Sequence, residues 1–251
     1  MEVPIIPRTP KAPQEVTAIE EVQRAVEEAF DAVVAYLKEN DQATSEDAHH
    51  IIDTVLARAG CTSPEGHIVA GGLASTAPHE KGSGVLKRGE QIVIDMYPKS
   101  NTSGYFADMS RTVCIGTPPS DIQKMYDTVL AAQELAFTMI RPGALCRDIQ
   151  IAVEGFFIGA GYMTSGEGDE FKYAEGFVHS IGHGVGLEIH ESPHFGRKSE
   201  DVLMEGDVIT VEPGLYYKSL GGIRIEDMVL VTADGYRNLT NCSKTFVIAN
   251  T

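Results

Sequence analysis

The sequence has few cysteines, and none of them lie close together. The four are Cys61, Cys114, Cys146 and Cys242, and no two form a Cys-x-x-Cys pair. Zinc knuckles and dense disulfide frameworks both need closely spaced cysteines, so this spacing disfavours both. A reducing cytoplasm is the expected location.

Long apolar runs and an export signal are also missing from the sequence. No apolar run approaches the ~18 residues that a membrane-spanning helix needs. The first residues, MEVPIIPRTPKAPQEV, lack a basic segment followed by an apolar one. Neither export nor membrane anchoring is expected.

Positive charge is scarce. The chain has 20 lysines and arginines against 36 aspartates and glutamates, which gives a formal net charge of −16. A field of this sign repels polyanions and anionic lipid surfaces. Nucleic acid and membranes are therefore not expected as partners.

Length and composition indicate one folded domain. The chain has 251 residues, 43% of them hydrophobic, which is enough to bury a full core. Pro4, Pro7, Pro10 and Pro13 predict an extended lead-in over residues 1–13. The folded domain is expected to span residues 14–251.

Hydrophobic periodicity predicts four helices. Apolar residues recur at helical spacing from Gln14 to Glu39. A second helix is expected after Thr44, which can cap it together with Asp47, and should end near Gly60. Two more are predicted, at residues 120–140 and 147–159.

Runs with strand-like composition lie between and after these helices, at residues 92–97, 105–115, 207–213, 223–232 and 245–249. Each half of the chain thus carries two helices and several strands, although no sequence repeat is detectable. This order predicts an α+β fold with helices on one side of a curved sheet.

A glycine-rich segment, HSIGHGVGLEIHE at residues 179–191, contains three histidines and two glutamates. On a helix His179 and His183 would face one metal, but each glycine costs about 1 kcal/mol in a helix interior. Glycine also lets the backbone approach another group closely. The segment is therefore predicted to be an extended ribbon that packs against another part of the protein.

Four acids fall within the strand-like runs: Asp95, Asp108, Glu212 and Glu226. Asp95 interrupts the apolar run VIDMY, where a carboxylate without a partner is strongly disfavoured. Taken singly, such acids are more often exposed or paired with an arginine. Four of them, with one imidazole from the ribbon, indicate a common metal site.

Four segments together resemble the metal-binding motifs of the pita-bread metallopeptidases, specifically the Xaa-Pro dipeptidase (prolidase) and aminopeptidase P branch. These are VIDMY…FADMSRT, HSIGHGVGLEIHESP, ITVEPGLYY and GGIRIED. The resemblance covers roughly Pro7 to the C-terminus. It implies the pita-bread (creatinase/aminopeptidase) fold, a curved antiparallel sheet with helices on its outer face.

The resemblance also implies two divalent metal ions. It makes Asp95 a bidentate ligand and Asp108 and Glu226 bridging carboxylates, while His183 and Glu212 complete one metal. A ligand set with one imidazole favours manganese or cobalt, with iron or zinc as alternatives. The implied reaction is hydrolysis of Xaa-Pro bonds in small peptides by a hydroxide between the metals.

The remaining polar residues receive roles from the same resemblance. His190 is expected near the substrate carbonyl and the oxyanion that develops on it, and His79 is expected to contact substrate or to assist proton transfer. His179 is expected to line the pocket, and Glu212 is the expected general acid and base. Arg224 is expected to orient the acids or to gate the site.

An apolar wall for the proline ring has five candidates, for which ordinary core positions are an equal alternative. They are Phe177, Ile181, Val185, Leu187 and Tyr216.

Two features depart from the family pattern. Tyr97 stands where the family usually has glycine, and the interval from Asp95 to Asp108 carries the polar insert PKSNTSG. The insert predicts a bulged or extended hairpin turn. The family generally also carries a separate N-terminal domain, whereas this sequence begins almost directly with the catalytic one.

Several alternatives stay open at the level of sequence. A methionine aminopeptidase shares the fold, as do creatine-type amidinohydrolases and non-catalytic peptide-binding modules. The ribbon and the short interval from Glu212 to Glu226 favour the proline-specific branch. An intact set of metal ligands speaks against the last two alternatives. A homodimer is also an open option.

Overall fold

The computed structural model describes residues 10–165 and 175–249. It contains four α-helices: α1 (Pro13–Glu39), α2 (Ser45–Arg58), α3 (Ser120–Met139) and α4 (Cys146–Gly159). All four predicted helices are confirmed, with ends that differ by one or two residues. Of the predicted lead-in, residues 1–9 lie outside the described residues, and Pro13 already begins α1.

The predicted cap of α2 is present. The Asp47 amide donates to the Thr44 hydroxyl at 3.1 Å, and the Thr44 amide donates to the Asp47 carboxylate at 3.0 Å. Each residue thereby satisfies a backbone N–H that the helix start would otherwise leave without a partner.

Thirteen strands occur among the described residues. They are β1 (Cys61–Thr62), β2 (His67–Gly71), β3 (Gln91–Met96), β4 (Lys99–Ser100), β5 (Met109–Ile115), β6 (His183–Gly184), β7 (Glu191–His194), β8 (Val208–Val211), β9 (Gly214–Tyr217), β10 (Gly221–Arg224), β11 (Asp227–Thr232), β12 (Gly235–Asn238) and β13 (Val247–Ile248).

Two predicted strand runs are broken in the structure, and a third, 245–249, is a strand only in β13. Residues 223–232 do not form one strand, because Ile225 and Glu226 separate β10 from β11. The run 105–115 becomes a regular strand only at Met109. In both runs the break lies at or beside a predicted metal ligand, where the backbone leaves the regular ladder.

The strands form two main sheets. One has the order β13-β5-β3-β2 and is antiparallel except for the β13–β5 pair. The other has the order β12-β11-β8-β6-β7 and is antiparallel throughout. The hairpin β9–β10 and the pair β1–β4 form separate two-stranded units.

Two large apolar clusters occur among the described residues, and each contains one pair of helices. Residues of α1 and α2, such as Ile19 and Ile52, share one buried cluster with Ile94 of β3. Residues of α3 and α4, such as Phe157, share a second cluster with Ile209 of β8. This arrangement confirms the predicted α+β class.

The two halves meet at a polar junction. The Glu226 amide donates to the Ser110 carbonyl at 2.9 Å, and the Arg224 amide donates to the Thr112 hydroxyl at 3.0 Å. The acids predicted from sequence all lie beside this junction, at strand ends from both sheets. None of the described helices combines the length and apolar character that crossing a membrane requires.

Candidate metal centre

The glycine-rich ribbon is extended, and its glycines permit close packing as predicted. A Cβ on Gly182 would collide with the Thr210 carbonyl oxygen, and one on Gly184 would collide with that of Ser192. The ribbon therefore lies directly against β8 on one side and β7 on the other. The Thr210 hydroxyl accepts a hydrogen bond from the His183 amide at 3.0 Å.

Three buried residues present ligand atoms to a common point. One atom each from Asp108, His183 and Glu226 lie within 4.8 Å of one another. His183 Nε2 is 3.6 Å from Asp108 Oδ2 and 3.3 Å from Glu212 Oε1. Carboxylates and an imidazole at these separations are suited to a divalent cation.

Asp95 faces the same cavity and has an incomplete set of partners. Its Oδ2 accepts a hydrogen bond from Arg224 Nη2 at 2.7 Å, whereas its Oδ1 is buried without a hydrogen-bond partner. A buried carboxylate oxygen in this state is costly unless a cation or a donor satisfies it. Asp95 therefore offers one free oxygen to a cation, whereas the bidentate role that the resemblance implies would also need the oxygen that Arg224 holds.

The site concentrates negative charge away from water. Burial, followed by the neighbouring carboxylates, raises the pKa of Asp108 and of Glu226 well above their ordinary values. Burial also raises the pKa of Glu212 to about 8. A divalent cation would remove the repulsion that keeps these groups protonated.

His183 is suited to coordination through its protonation state. Burial lowers its pKa to about 3, so the imidazole is neutral at neutral pH. Its Nδ1 lies 3.1 Å from the Gly184 carbonyl oxygen, which favours a proton on Nδ1 and a free lone pair on Nε2.

Arg224 is buried and is committed to neighbouring side chains. Besides Asp95, it donates from Nη1 to the Tyr216 hydroxyl at 2.6 Å and from Nε to the Ser110 hydroxyl at 2.8 Å. Ser110 in turn donates to Glu226 Oε2 at 3.0 Å. This geometry fits the expectation that Arg224 orients the acids.

His179 joins this network from the opposite side. Its Nε2 lies 3.0 Å from the Tyr216 hydroxyl, and its Nδ1 lies 3.9 Å from Glu212 Oε2. Burial lowers the pKa of His179 to about 3. The supporting hydroxyls of Ser110, Thr210 and Tyr216 were not predicted from sequence. Only their positions close to the acids in sequence could have indicated them.

The other two predicted histidines line the same cavity but are more exposed. The ring of His190 meets the ring of His183 edge-on, with 4.3 Å between centroids. His79 follows the short 3₁₀ helix at residues 72–76. Both therefore lie beside the acid cluster, within reach of a bound molecule.

The predicted apolar wall is wrong, and the alternative of ordinary core positions is confirmed for four of its five candidates. Phe177, Ile181, Val185 and Tyr216 are core residues with at most 1% exposure, and Leu187 is exposed on the surface. None of the five lines the cavity. The apolar residues that do line it are Ile68, Pro78, Tyr97, Ile189 and Phe195. Alternation in a short strand does not reveal which side of a two-layer structure faces a cavity, so the sequence could not separate these sets.

The insert after Asp95 forms an extended hairpin, as predicted. Lys99 bridges to Phe106, and the Ser100 amide donates to the Tyr105 carbonyl at 2.9 Å. Strand β4 within the insert pairs with β1. The hairpin begins just after Tyr97, which places that side chain on the cavity wall.

The chain was compared with known families and structures. The sequence pattern of metallopeptidase family M24 matches residues 17–233. A Xaa-Pro dipeptidase of Pyrococcus furiosus is 35% identical over 229 residues, which cover 90% of this chain and 62% of the relative. The chain thus spans less than two thirds of the length of this relative.

Solved structures give the same result. The prolidase of Pyrococcus horikoshii superposes with a TM-score of 0.84 at 31% identity, covering 95% of this chain and 65% of that one. An X-Pro aminopeptidase of Thermotoga maritima gives a TM-score of 0.85 at 32% identity, covering 96% and 65%. These likenesses confirm the predicted pita-bread fold. From the family match and the cluster of acids and histidine at the sheet junction, we conclude that the chain belongs to metallopeptidase family M24.

Proposed function

We propose that this protein is a metal-dependent exopeptidase that hydrolyses Xaa-Pro peptide bonds. The observation that carries the proposal is that Asp95, Asp108, His183, Glu212 and Glu226 all line one cavity. Relatives named Xaa-Pro dipeptidase, prolidase and X-Pro aminopeptidase support the substrate class.

The five residues would hold two divalent cations. Asp108, His183, Glu212 and Glu226 would contribute their side-chain ligand atoms. Asp95 would contribute Oδ1, because Arg224 holds its Oδ2. Carboxylates with one imidazole favour manganese or cobalt. When bound, the cations supply Lewis acidity and lower the pKa of coordinated water.

The protein's own groups would move the proton and hold the substrate. Glu212 lies at the edge of the cluster beside His183, where it would take a proton from water and return it to the leaving amine. His190 and His79 would donate hydrogen bonds to the substrate carbonyl as negative charge develops on its oxygen. His179 and Arg224 hold the Tyr216 hydroxyl between them and so fix that side of the cavity.

The cavity suits a proline in the second position of a peptide. The Xaa-Pro bond is a tertiary amide without an N–H, so its ring needs apolar surface and no acceptor. Ile189 and Phe195 provide such surface next to His190 and His194. We also propose a reducing, cytoplasmic location, because the four cysteines are widely spaced in the sequence and three of them are buried.

The test is a comparison of three peptides with the manganese- or cobalt-loaded protein: a dipeptide Xaa-Pro, a longer Xaa-Pro peptide and a Met-Ala peptide. We expect cleavage of at least one Xaa-Pro substrate and much slower cleavage of Met-Ala. A higher kcat/KM for Met-Ala would instead indicate a methionine aminopeptidase. Two bound metals without turnover of any peptide would indicate a binding module.

A further inference from the structure

An ion pair joins the loop that follows β7, residues 195–201, to helix α4. It forms between Arg197 of the loop and Glu154 of the helix, whose side chains are 32% and 4% exposed. The two contacting atoms, Arg197 Nε and Glu154 Oε2, are shielded from water. A buried carboxylate needs such a cation, because its charge is otherwise costly to keep away from water. Both residues lie outside the lining of the cavity.

The other oxygen of Glu154 is connected to the ribbon around His183. Glu154 Oε1 accepts a hydrogen bond from Gln150 Nε2 at 2.7 Å. Gln150 Oε1 in turn accepts one from the Ile181 amide at 2.7 Å. The Ile181 carbonyl accepts a further bond from the Glu212 amide at 2.8 Å. Glu154 is therefore a fixed anchor for the loop, because its own position is set by bonds that continue into the site.

The loop that Arg197 anchors carries part of the cavity wall. Phe195 lines the cavity, as does His194 at the start of the loop, and Phe195 lies two positions before Arg197. The loop is closed on itself. The His194 amide donates to Asp201 Oδ2 at 2.7 Å, and the His194 carbonyl accepts a bond from the Ser199 hydroxyl at 2.6 Å. A displacement of Arg197 should therefore move Phe195 as well.

We propose that Arg197 is a positioning residue for the substrate. Through its ion pair with Glu154 it holds the 195–201 loop against α4, so that Phe195 presents apolar surface to the bound peptide. This inference rests on the proposed Xaa-Pro activity and adds a residue that sets substrate affinity from outside the cavity. Loss of the pair removes a contact to the substrate and leaves the acid cluster in place. It should therefore raise KM and leave kcat unchanged.

The first test is the hydrolysis of alanyl-proline by manganese-loaded wild type, Arg197→Met and Glu154→Gln. We expect KM to rise about tenfold in Arg197→Met at unchanged kcat, which is the effect of a small loss of apolar contact in a binding pocket. Glu154→Gln should raise KM in the same direction. Arg147→Met is the matched control and should keep the wild-type KM, because Arg147 pairs with Asp148 on the exposed surface of the same helix.

Glu154→Gln also covers the case in which Arg197→Met does not fold. Arg197→Met leaves the Glu154 carboxylate buried without its cation, which is strongly destabilising. Glu154→Gln keeps the shape of the side chain and buries no unpaired charge, and the partly exposed Arg197 can turn to water. The same measurements on Glu154→Gln then decide.

Amide hydrogen exchange gives a second readout that needs no activity. Residues 194–201 should lose protection in Arg197→Met and Glu154→Gln, whereas α1 should keep its wild-type protection in both. Wild-type protection of the loop in both variants would overturn the inference, because the packing of Phe195 would then hold the loop without the ion pair.

The kinetic outcomes separate this inference from the proposed function. With an active wild type, an unchanged KM in both variants would overturn the role of Arg197. A fall in kcat at unchanged KM would overturn it too, since that pattern indicates lost metal or lost stability. A wild type that cleaves no Xaa-Pro peptide would contradict the proposed function instead. The dissociation constant of alanyl-proline, measured by calorimetry, then replaces KM, and equal affinity in wild type and variants, or no binding, would overturn the inference as well.

Discussion

The carboxylates of individual residues in the cluster are buried close together, so that they are not all stable in the charged form without a metal ion. Asp108 and Glu226 are nearly inaccessible to water, and Asp95 keeps one buried oxygen without a partner. Burial of like charges shifts carboxylic acids toward their protonated form. The carboxylates therefore favour either bound protons or bound cations. When no metal is present, the pH determines how many of the carboxylates are protonated.

Protein stripped of metal should lose stability as the pH rises from 6.5 to 8. In the unfolded chain Glu212 returns to its ordinary pKa of 4.5 and is ionised throughout this window, whereas in the folded protein it holds its proton up to about 8. The folded state therefore binds more protons, and its free energy of unfolding falls as the pH rises. Glu212 alone would contribute about 2 kcal/mol.

The other titrating groups of the site leave this sign unchanged. Asp108 and Glu226 also have raised pKa values and act in the same direction. His179 and His183 have pKa values lowered from 6.5 to about 3, so they increase stability with pH mainly below 6.5 and offset less than about 1 kcal/mol of the loss above it. Urea unfolding of chelator-treated protein at pH 6.5 and pH 8 measures the effect, with manganese-loaded protein as control. Equal or greater stability at pH 8 without metal would contradict the burial argument.

At the level of elements, the ribbon around His183 depends on its glycines, because these positions have no room for a side chain. It passes between β7 and β8 so closely that a Cβ at Gly182 or Gly184 would overlap backbone atoms. The same closeness lets Thr210 hold the His183 amide. The local geometry of the metal ligand therefore follows from packing of the whole ribbon.

Gly182→Ala should destabilise the protein and weaken metal binding. The new methyl group would displace Thr210 and with it His183, at a cost of about 1–3 kcal/mol. Gly155→Ala is the matched control, because Gly155 lies within α4 with open space around its Cβ position. The control should gain about 0.5–1 kcal/mol from helix propensity.

Thermal unfolding and manganese titration of both variants provide the measurement. If Gly182→Ala kept wild-type stability and wild-type manganese affinity, the expectation that a methyl group at this position displaces Thr210 would be contradicted.

At the level of the whole molecule, a buried arginine ties the two halves together near the site. Arg111 of β5 is 1% exposed and pairs with Asp227 of β11 at 2.8 Å. Its Nη1 also donates to the Glu226 carbonyl at 2.6 Å. Further bonds reach the carbonyls of Cys242 and Ser243 in the C-terminal segment.

Arg111→Met should destabilise the protein by about 3–5 kcal/mol, since removal of one partner leaves Asp227 buried without its cation and frees the Glu226 backbone. Lys244, which contacts the other Asp227 oxygen at 2.7 Å, would offset part of the loss. Arg237→Met is the control, because Arg237 pairs with Glu20 at the surface and such pairs contribute less than about 1 kcal/mol.

Denaturant unfolding of both variants checks the difference, and metal affinity reports whether Glu226 has moved. Similar losses in Arg111→Met and Arg237→Met would mean that the junction is not held by this ion pair.

The sequence alone determined the helices and the types of ligand. Helix signals are local: the apolar spacing from Val16 to Leu37 and the Thr44 cap lie within single segments, and the structure reproduces them. The acids could be selected because carboxylates within apolar strand-like runs need compensation, and the motif resemblance added an expected role for each. Short strands such as β2 and β9 gave no comparable signal, since two to five residues provide little periodicity.

Only the tertiary structure decided how those residues are supported and what faces the cavity. The bond from Arg224 to Asp95 joins positions 129 residues apart, and the one from Ser110 to Glu226 joins positions 116 apart. Phe177 and Tyr216 proved to be core, whereas Ile68 and Tyr97 form cavity wall. Which face of a strand meets a cavity depends on how two sheets approach each other, and no local pattern records that approach.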